Sequence, residues 1–217
     1  MADIFQEVEE DLRRDRYERL AKKYGGYVIA LLVAIVAATA SYVLWKNWHQ
    51  ARQQAATLQL AEAVDAAGPT GTLAAGIPAL EALAGKAPAG AAGLARLFEA
   101  GVKARSGDSA GAVALYDALA VDGSLPVLYR DLAALLSVQQ QVGAGDAGAL
   151  SARLAALSAE TSPWRFSARE LDGLLATRAG DKTRAKTLFQ QLADDKDAPA
   201  GLRARAAELV AFFDKAS

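Results

Sequence analysis

The sequence predicts an all-α protein: one N-terminal transmembrane helix followed by stacked helical hairpins. Three observations predict it. The chain of 217 residues holds 52 alanines against 15 aromatic residues. Alanine is the strongest helix former and lets helices approach closely. An uncharged run of 22 residues extends from Tyr24 to Trp45. Beyond it, Gly-Asp pairs recur at a period of about 35 residues, the signature of a helical repeat.

The uncharged run comes first. As a helix it reaches roughly 33 Å, enough to cross ~30 Å of hydrocarbon. Tyr24 and Tyr27 stand at one end; Tyr42, Trp45 and Trp48 stand at the other. Amphipathic rings of this kind settle at membrane–water interfaces. The same run could serve as a buried core helix, but its flanks are strongly polar. A cleaved signal peptide ending at Ala38-Thr39-Ala40 is the other rival. The leading region is long and acidic, unlike a secretory leader, and the apolar run continues past the triplet.

Lys and Arg near the ends of a span set its orientation. Arg13, Arg14, Arg16, Arg19, Lys22 and Lys23 precede it, whereas only Lys46 and Arg52 follow closely. The expected layout is a cytoplasmic charged segment at 1–23, a transmembrane helix at 24–45 and a repeat domain at 46–217 on the outer side. In a bacterial inner membrane that side is the periplasm. Within the first segment, Ile4, Val8 and Leu12 recur at a spacing of four, with acids leading and bases trailing. This suits a short helix, read either as a solvated stop or as a docking helix for a cytoplasmic partner.

The outer region balances its charges, with 18 bases and 18 acids after the first segment. Its corners are Gly107-Asp108, Gly145-Asp146 and Gly180-Asp181. Nine residues beyond each Gly stand Tyr116, Leu154 and Phe189; twelve beyond stand Leu119, Leu157 and Leu192. Ala95, Ala133 and Ala168 lie twelve before, and Pro126, Pro163 and Pro199 lie eighteen or nineteen beyond. A degenerate copy starts at Gly71, with Leu80, Leu83 and Pro88 in similar places. A Gly-Asp corner closes one helix with a residue tolerant of the left-handed conformation and caps the next. The apolar pair three apart faces one side of the second helix. Neighbouring hairpins must stack, since one hairpin cannot bury its own apolar face. Tyr116, Leu119, Leu154, Leu157, Phe189 and Leu192 are therefore the expected repeat core. The helix at Leu202–Phe213 suits a cap on the array, and the spanning helix is free to run on to Ala67, where Gly68-Pro69 closes it.

This pattern resembles the tetratricopeptide repeat. Gly107, Asp108, Ala112, Tyr116 and Pro126 fit its motif, as do Gly173, Gly180, Asp181, Ala185, Phe189 and Pro199. The middle unit departs from it at Leu150, and the first-helix Trp and Tyr are missing. The resemblance implies a right-handed solenoid of degenerate hairpins. The complete layout, with Asp3-Ile-Phe-Gln-Glu-Val-Glu-Glu-Asp-Leu-Arg-Arg-Asp and Tyr24-Gly-Gly-Tyr before the span, is similar to the tetratricopeptide-like ancillary subunit of the Sec translocon (the YfgM-type family). That similarity implies a single-pass inner-membrane protein whose periplasmic repeats meet translocon subunits and a membrane-anchored chaperone of the prolyl-isomerase type. It brings no catalytic motif and no cofactor.

Sites for chemistry are sparse in the sequence. There is no cysteine and a single histidine, which excludes thiolate centres and multi-histidine metal sites. His49 reads as a headgroup-level polar residue. Asp194-Asp195-Lys196-Asp197 lacks the Gly and terminal Glu of a calcium loop and reads as a solvated turn. The charge balance argues against a nucleic-acid polycation. Trp164, after Pro163, reads as packing at a hairpin junction or as a partner contact. The expected function is a non-enzymatic, membrane-anchored interaction scaffold. A self-associating envelope anchor and a cell-envelope accessory enzyme are the alternatives, the latter requiring convergent titratable residues in a pocket.

Overall fold

The computed structural model describes residues 2–68 and 72–215, with side chains from Lys23 onward except those of residues 25 and 28. The side chains of Ile4, Val8 and Leu12, and the corner at Gly71, lie outside the described residues. Among the described residues every regular element is a helix. In chain order they are α1 (Ala2–Ala66), α2 (Leu73–Lys86), α3 (Ala89–Arg105), α4 (Ser109–Ala120), α5 (Val127–Gln141), α6 (Ala147–Leu154), α7 (Arg165–Arg178), α8 (Lys182–Asp194) and α9 (Ala200–Lys215). The chain divides into two compact units, Met1–Gln54 and Ala55–Ser217. α1 runs unbroken through Gly25-Gly26 and beyond Trp45 to Ala66.

In the second unit each helix packs on its successor. α2 meets α3, α3 meets α4, α4 meets α5, and α6 through α9 follow likewise; α7 also touches α5 and α9. The core is a chain of local clusters. Ala63, Ala67, Leu80, Leu83, Ala95 and Val102 form the first. Ala100, Ala112, Tyr116, Leu119, Leu125 and Ala133 form the second. Leu135, Val138, Leu150, Leu154, Leu157, Ala168, Leu171 and Leu175 form the third. Phe166, Ala176, Ala185, Phe189, Leu192, Ala198, Ala206 and Phe213 form the fourth. Alanine and glycine make the close approaches: Ala95, Ala133 and Ala168 are fully buried. A Cβ on Gly173 would stand 2.7 Å from the Phe189 ring, so glycine there makes room for the aromatic.

Local sequence sets the helix ends. Asp108, Asp146 and Asp181 each accept a hydrogen bond from the backbone N–H three residues on, at Gly111, Ala149 and Arg184. Pro88 and Pro126, with φ of −54° and −55°, stand at the N-caps of α3 and α5. Gly107 and Gly180 have φ of +92° and +79°. The N–H of the following Asp reaches back to Lys103 O and Ala176 O respectively, the wide bond of a Schellman ending.

Two details depart from the sequence reading. Gly145 has no positive φ. The α5–α6 link spans residues 142–146, whereas the other two corners span 106–108 and 179–181. The longer link reverses the chain without a left-handed residue. Glycine at 145 answers a spatial demand instead, since a Cβ would stand 2.8 Å from Leu150 Cδ1. Leu157 is buried in the third cluster but lies beyond the end of α6 at Leu154, so it does not share a helical face with Leu154.

Candidate membrane anchor and interaction surface

Among the described residues one helix is long and apolar enough to cross a membrane; it lies near the N-terminus, within Ile29–Ala66. None of its apolar window is buried inside the protein. Ile29, Leu31, Leu32, Val33, Ile35 and Val36 are each 52–67% exposed. Burying apolar area is worth ~25 cal/mol per Å², so a row of uncovered large aliphatics demands an apolar environment. Within it the Thr39 hydroxyl is satisfied by the helix, donating to Ile35 O at 2.8 Å. Aromatic rings stand at both ends. Lys23 Nζ lies 5.4 Å from the Tyr24 ring centroid. At the other end His49 lies against Trp45 and Trp48, with centroids 5.0 and 6.0 Å away.

The second unit presents the predicted repeat residues as follows. Tyr116, Leu119, Leu154, Leu157, Phe189 and Leu192 are all buried. Burial raises the Tyr116 phenol above its ordinary value. Phe189 stacks on Phe213 of α9 at 6.2 Å, which joins the last hairpin to the terminal helix. Trp164 is half-buried at the N-cap of α7, packs against the third cluster, and donates its indole N–H to Leu128 O at 3.2 Å. Its polar handle is thus used inside the fold, tying α7 to α5. The turn at Asp194–Asp197 closes on itself, with Asp197 N–H donating to Asp195 Oδ1 and Arg169 paired to the other oxygen.

Sequence reasoning missed the polar joints between hairpins. Eight residues before the corners stand Glu99, Ser137 and Asp172. Glu99 and Ser137 are buried, and the Asp172 side chain is only 14% exposed. Lys103 Nζ stands 3.5 Å from both Glu99 Oε1 and Glu81 Oε1, linking α3 to α2. Ser137 Oγ and Arg153 Nη2 both donate to Asp117 Oδ1 at 2.6 Å, joining α5 and α6 to α4. Gln141 Nε2 donates to Ser137 Oγ. Ser151 Oγ donates to Asp172 Oδ1 at 2.5 Å, while Arg184 Nη2 donates to Asp172 Oδ2 at 2.8 Å. The constant offset was legible as a polar residue at the same place in each first helix. It went unread because its residue type differs from unit to unit.

These joints are matched electrostatically. Burial, then the neighbouring Glu81 carboxylate, pushes the Glu99 carboxyl above the usual carboxylate range, and Lys103 opposes them incompletely. Burial would lower the Lys103 ammonium, but the pull of Glu99 and Glu81 outweighs it, and the net shift is upward. At the α4–α5 loop, the Ser124 hydroxyl and backbone N–H donate to Asp122 and hold it below the usual range. No group of three or more potential metal ligands occurs among the described residues.

Two shallow clefts open on the second unit. One, about 350 Å³, is lined by Gln59, Glu62, Ala63, Ala79, Leu83 and Lys86. The other, about 300 Å³, follows α8 along Lys186, Thr187, Gln190, Gln191 and Asp194. Phe98, Val121, Val127 and Leu128 add exposed apolar area. Compared with known proteins, the chain matches no family model, and neither a curated protein nor a solved structure is detectably similar to it.

Proposed function

We propose that this protein is a membrane-anchored interaction scaffold and not an enzyme. The observation that carries the reading is the uncovered aliphatic stretch of α1, rimmed by aromatics, in a chain whose second unit packs its core residues in sequential clusters. On this reading residues 24–45 cross a bacterial inner membrane, residues 1–23 stay in the cytoplasm, and the helical pairs form a tetratricopeptide-like solenoid in the periplasm. Such an array offers extended surface for a protein segment, held by groove and helix contacts with no bond made or broken. The partners proposed are Sec translocon subunits and a membrane-anchored periplasmic chaperone of the prolyl-isomerase type. Membrane lipid surrounds the span. The polar joints support this reading: each acid in them has a hydroxyl or cation partner, as expected of groups that hold helices together.

In-membrane crosslinking of the full chain from Phe98 and Lys186, replaced by a photoreactive residue, followed by identification of the adducts, tests the reading. Recovery of channel subunits and an anchored chaperone supports it. Recovery of the chain alone supports a self-associating anchor in its place.

A further inference from the structure

Past the last aliphatic turn of the apolar stretch, one helix face changes character. Tyr42 and Trp45, Trp45 and Trp48, and His49 and Arg52 stand three apart, and Trp45 and His49, and Trp48 and Arg52, four apart, so the five share a face. Tyr42 and Trp45 have ring centroids 6.4 Å apart, and Trp45 and His49 lie 5.0 Å apart. The Arg52 guanidinium carbon sits 5.3 Å from the Trp48 centroid. All these side chains are exposed.

The charge around them is one-sided. No acid occurs from Tyr24 to Ala61; the first is Glu62. Lys46 and Arg52 make no ion pair among the described residues. Two permanent cations and an imidazole thus stand within two helical turns of Trp45 with no carboxylate nearby. Elsewhere in the described chain, Arg and Lys are commonly paired, as at Arg153, Arg169, Arg184 and Arg205.

We propose that this stripe is a binding face for anionic phospholipid at the outer end of the span. The proposal rests on the reading that residues 24–45 cross the membrane. Indole rings settle at headgroup depth, which brings Lys46, His49 and Arg52 level with the phosphates. A guanidinium held on an indole keeps its N–H fork free for phosphate oxygens, and it is less strongly hydrated than an ammonium. A zwitterionic lipid carries its own neutralising ammonium, so its phosphate competes poorly for these cations. A phosphatidylglycerol-type headgroup has no such group.

The test uses the full chain with Trp164→Phe, so that emission comes from Trp45 and Trp48. It is reconstituted in phosphatidylcholine vesicles containing equal fractions of phosphatidylglycerol, with bromine near the top of the acyl chains of one lipid or the other. Brominated phosphatidylglycerol should quench more than its bulk fraction predicts, with an enrichment of about five-fold per engaged cation. Lys46→Gln with Arg52→Gln should bring the two lipids to equal quenching while phosphatidylcholine still quenches. Equal quenching in the parent, or enrichment that survives the double substitution, overturns the proposal. Quenching by neither lipid overturns the anchor reading and this proposal with it. If Trp164→Phe disturbs the helical domain by circular dichroism, the parent chain is used with a W45F/W48F chain subtracted as background.

Discussion

The two units treat the same kinds of residue in opposite ways. In the first, Ile29 through Val36 point their aliphatic side chains outward, and none of that apolar window is buried. In the second, Leu80, Leu119, Leu154, Leu175 and Leu192 are almost wholly enclosed. Alanine is abundant in the uncharged run and in the packed helices alike, so it does not separate them. What differs is interruption. The outward-facing stretch has no Asp, Glu, Lys or Arg for 22 residues, whereas the helices that hold Leu80, Leu119, Leu154, Leu175 and Leu192 all carry charge. A helix apolar all round calls for apolar surroundings on every side; an amphipathic helix calls for a neighbouring helix on one.

This contrast can be tested from either side. Phe189→Ala should produce the largest effect, a loss of ~3–5 kcal/mol in the unfolding of the helical unit, read by denaturant titration in detergent. Leu32→Ala in the same assay should leave that transition where it was. Val36→Arg should act on the other unit alone. It should cost ~2.5–3.5 kcal/mol of membrane insertion and shift the chain toward the soluble fraction, while the helical unit melts unchanged. Ser137→Ala removes the donor shared between α4 and α5 and leaves Asp117 with Arg153 alone, so a loss of about 1–3 kcal/mol is expected. Smaller still, Gly180→Ala should cost ~1–2 kcal/mol through its positive φ.

The first joint supplies a pH test. The Glu99 carboxyl is raised in the folded protein, so folding takes up a proton between its ordinary value of 4.5 and its raised one. The ionised form is the costly one in the fold, so this group's contribution worsens as pH rises through that window and is relieved below it. Glu99→Gln removes the effect. Urea midpoints measured at several pH values should show the variant gaining on the parent as pH rises from about 4.5 toward neutrality. An unchanging difference would remove Glu99 from the account of that joint.

Much of the fold was legible because its signals are local. The Asp caps, the glycine corners and the plus-nine and plus-twelve positions depend on spacing along one or two helices. Gly145 misled because two extra link residues remove the need for a left-handed conformation, and a count of offsets does not register that. Leu157 misled for a related reason: burial and helical continuity are separate properties, and only the first was fixed by the pattern. The joints were hidden because Glu99, Ser137 and Asp172 share polarity and position but not identity. Trp164 shows the limit for a site: only the Leu128 carbonyl beneath its indole N–H separates a packing residue from a contact residue.

The proposed function rests on the reading that α1 tethers the chain and that the helical pairs lie across the membrane from the N-terminus. Because the chain has no cysteine, single thiols can report on that directly. In sealed cells, a membrane-impermeant maleimide should label Lys215→Cys before lysis and should label Ala2→Cys only afterwards. Labelling of both before lysis, or of Ala2→Cys alone, would contradict the account.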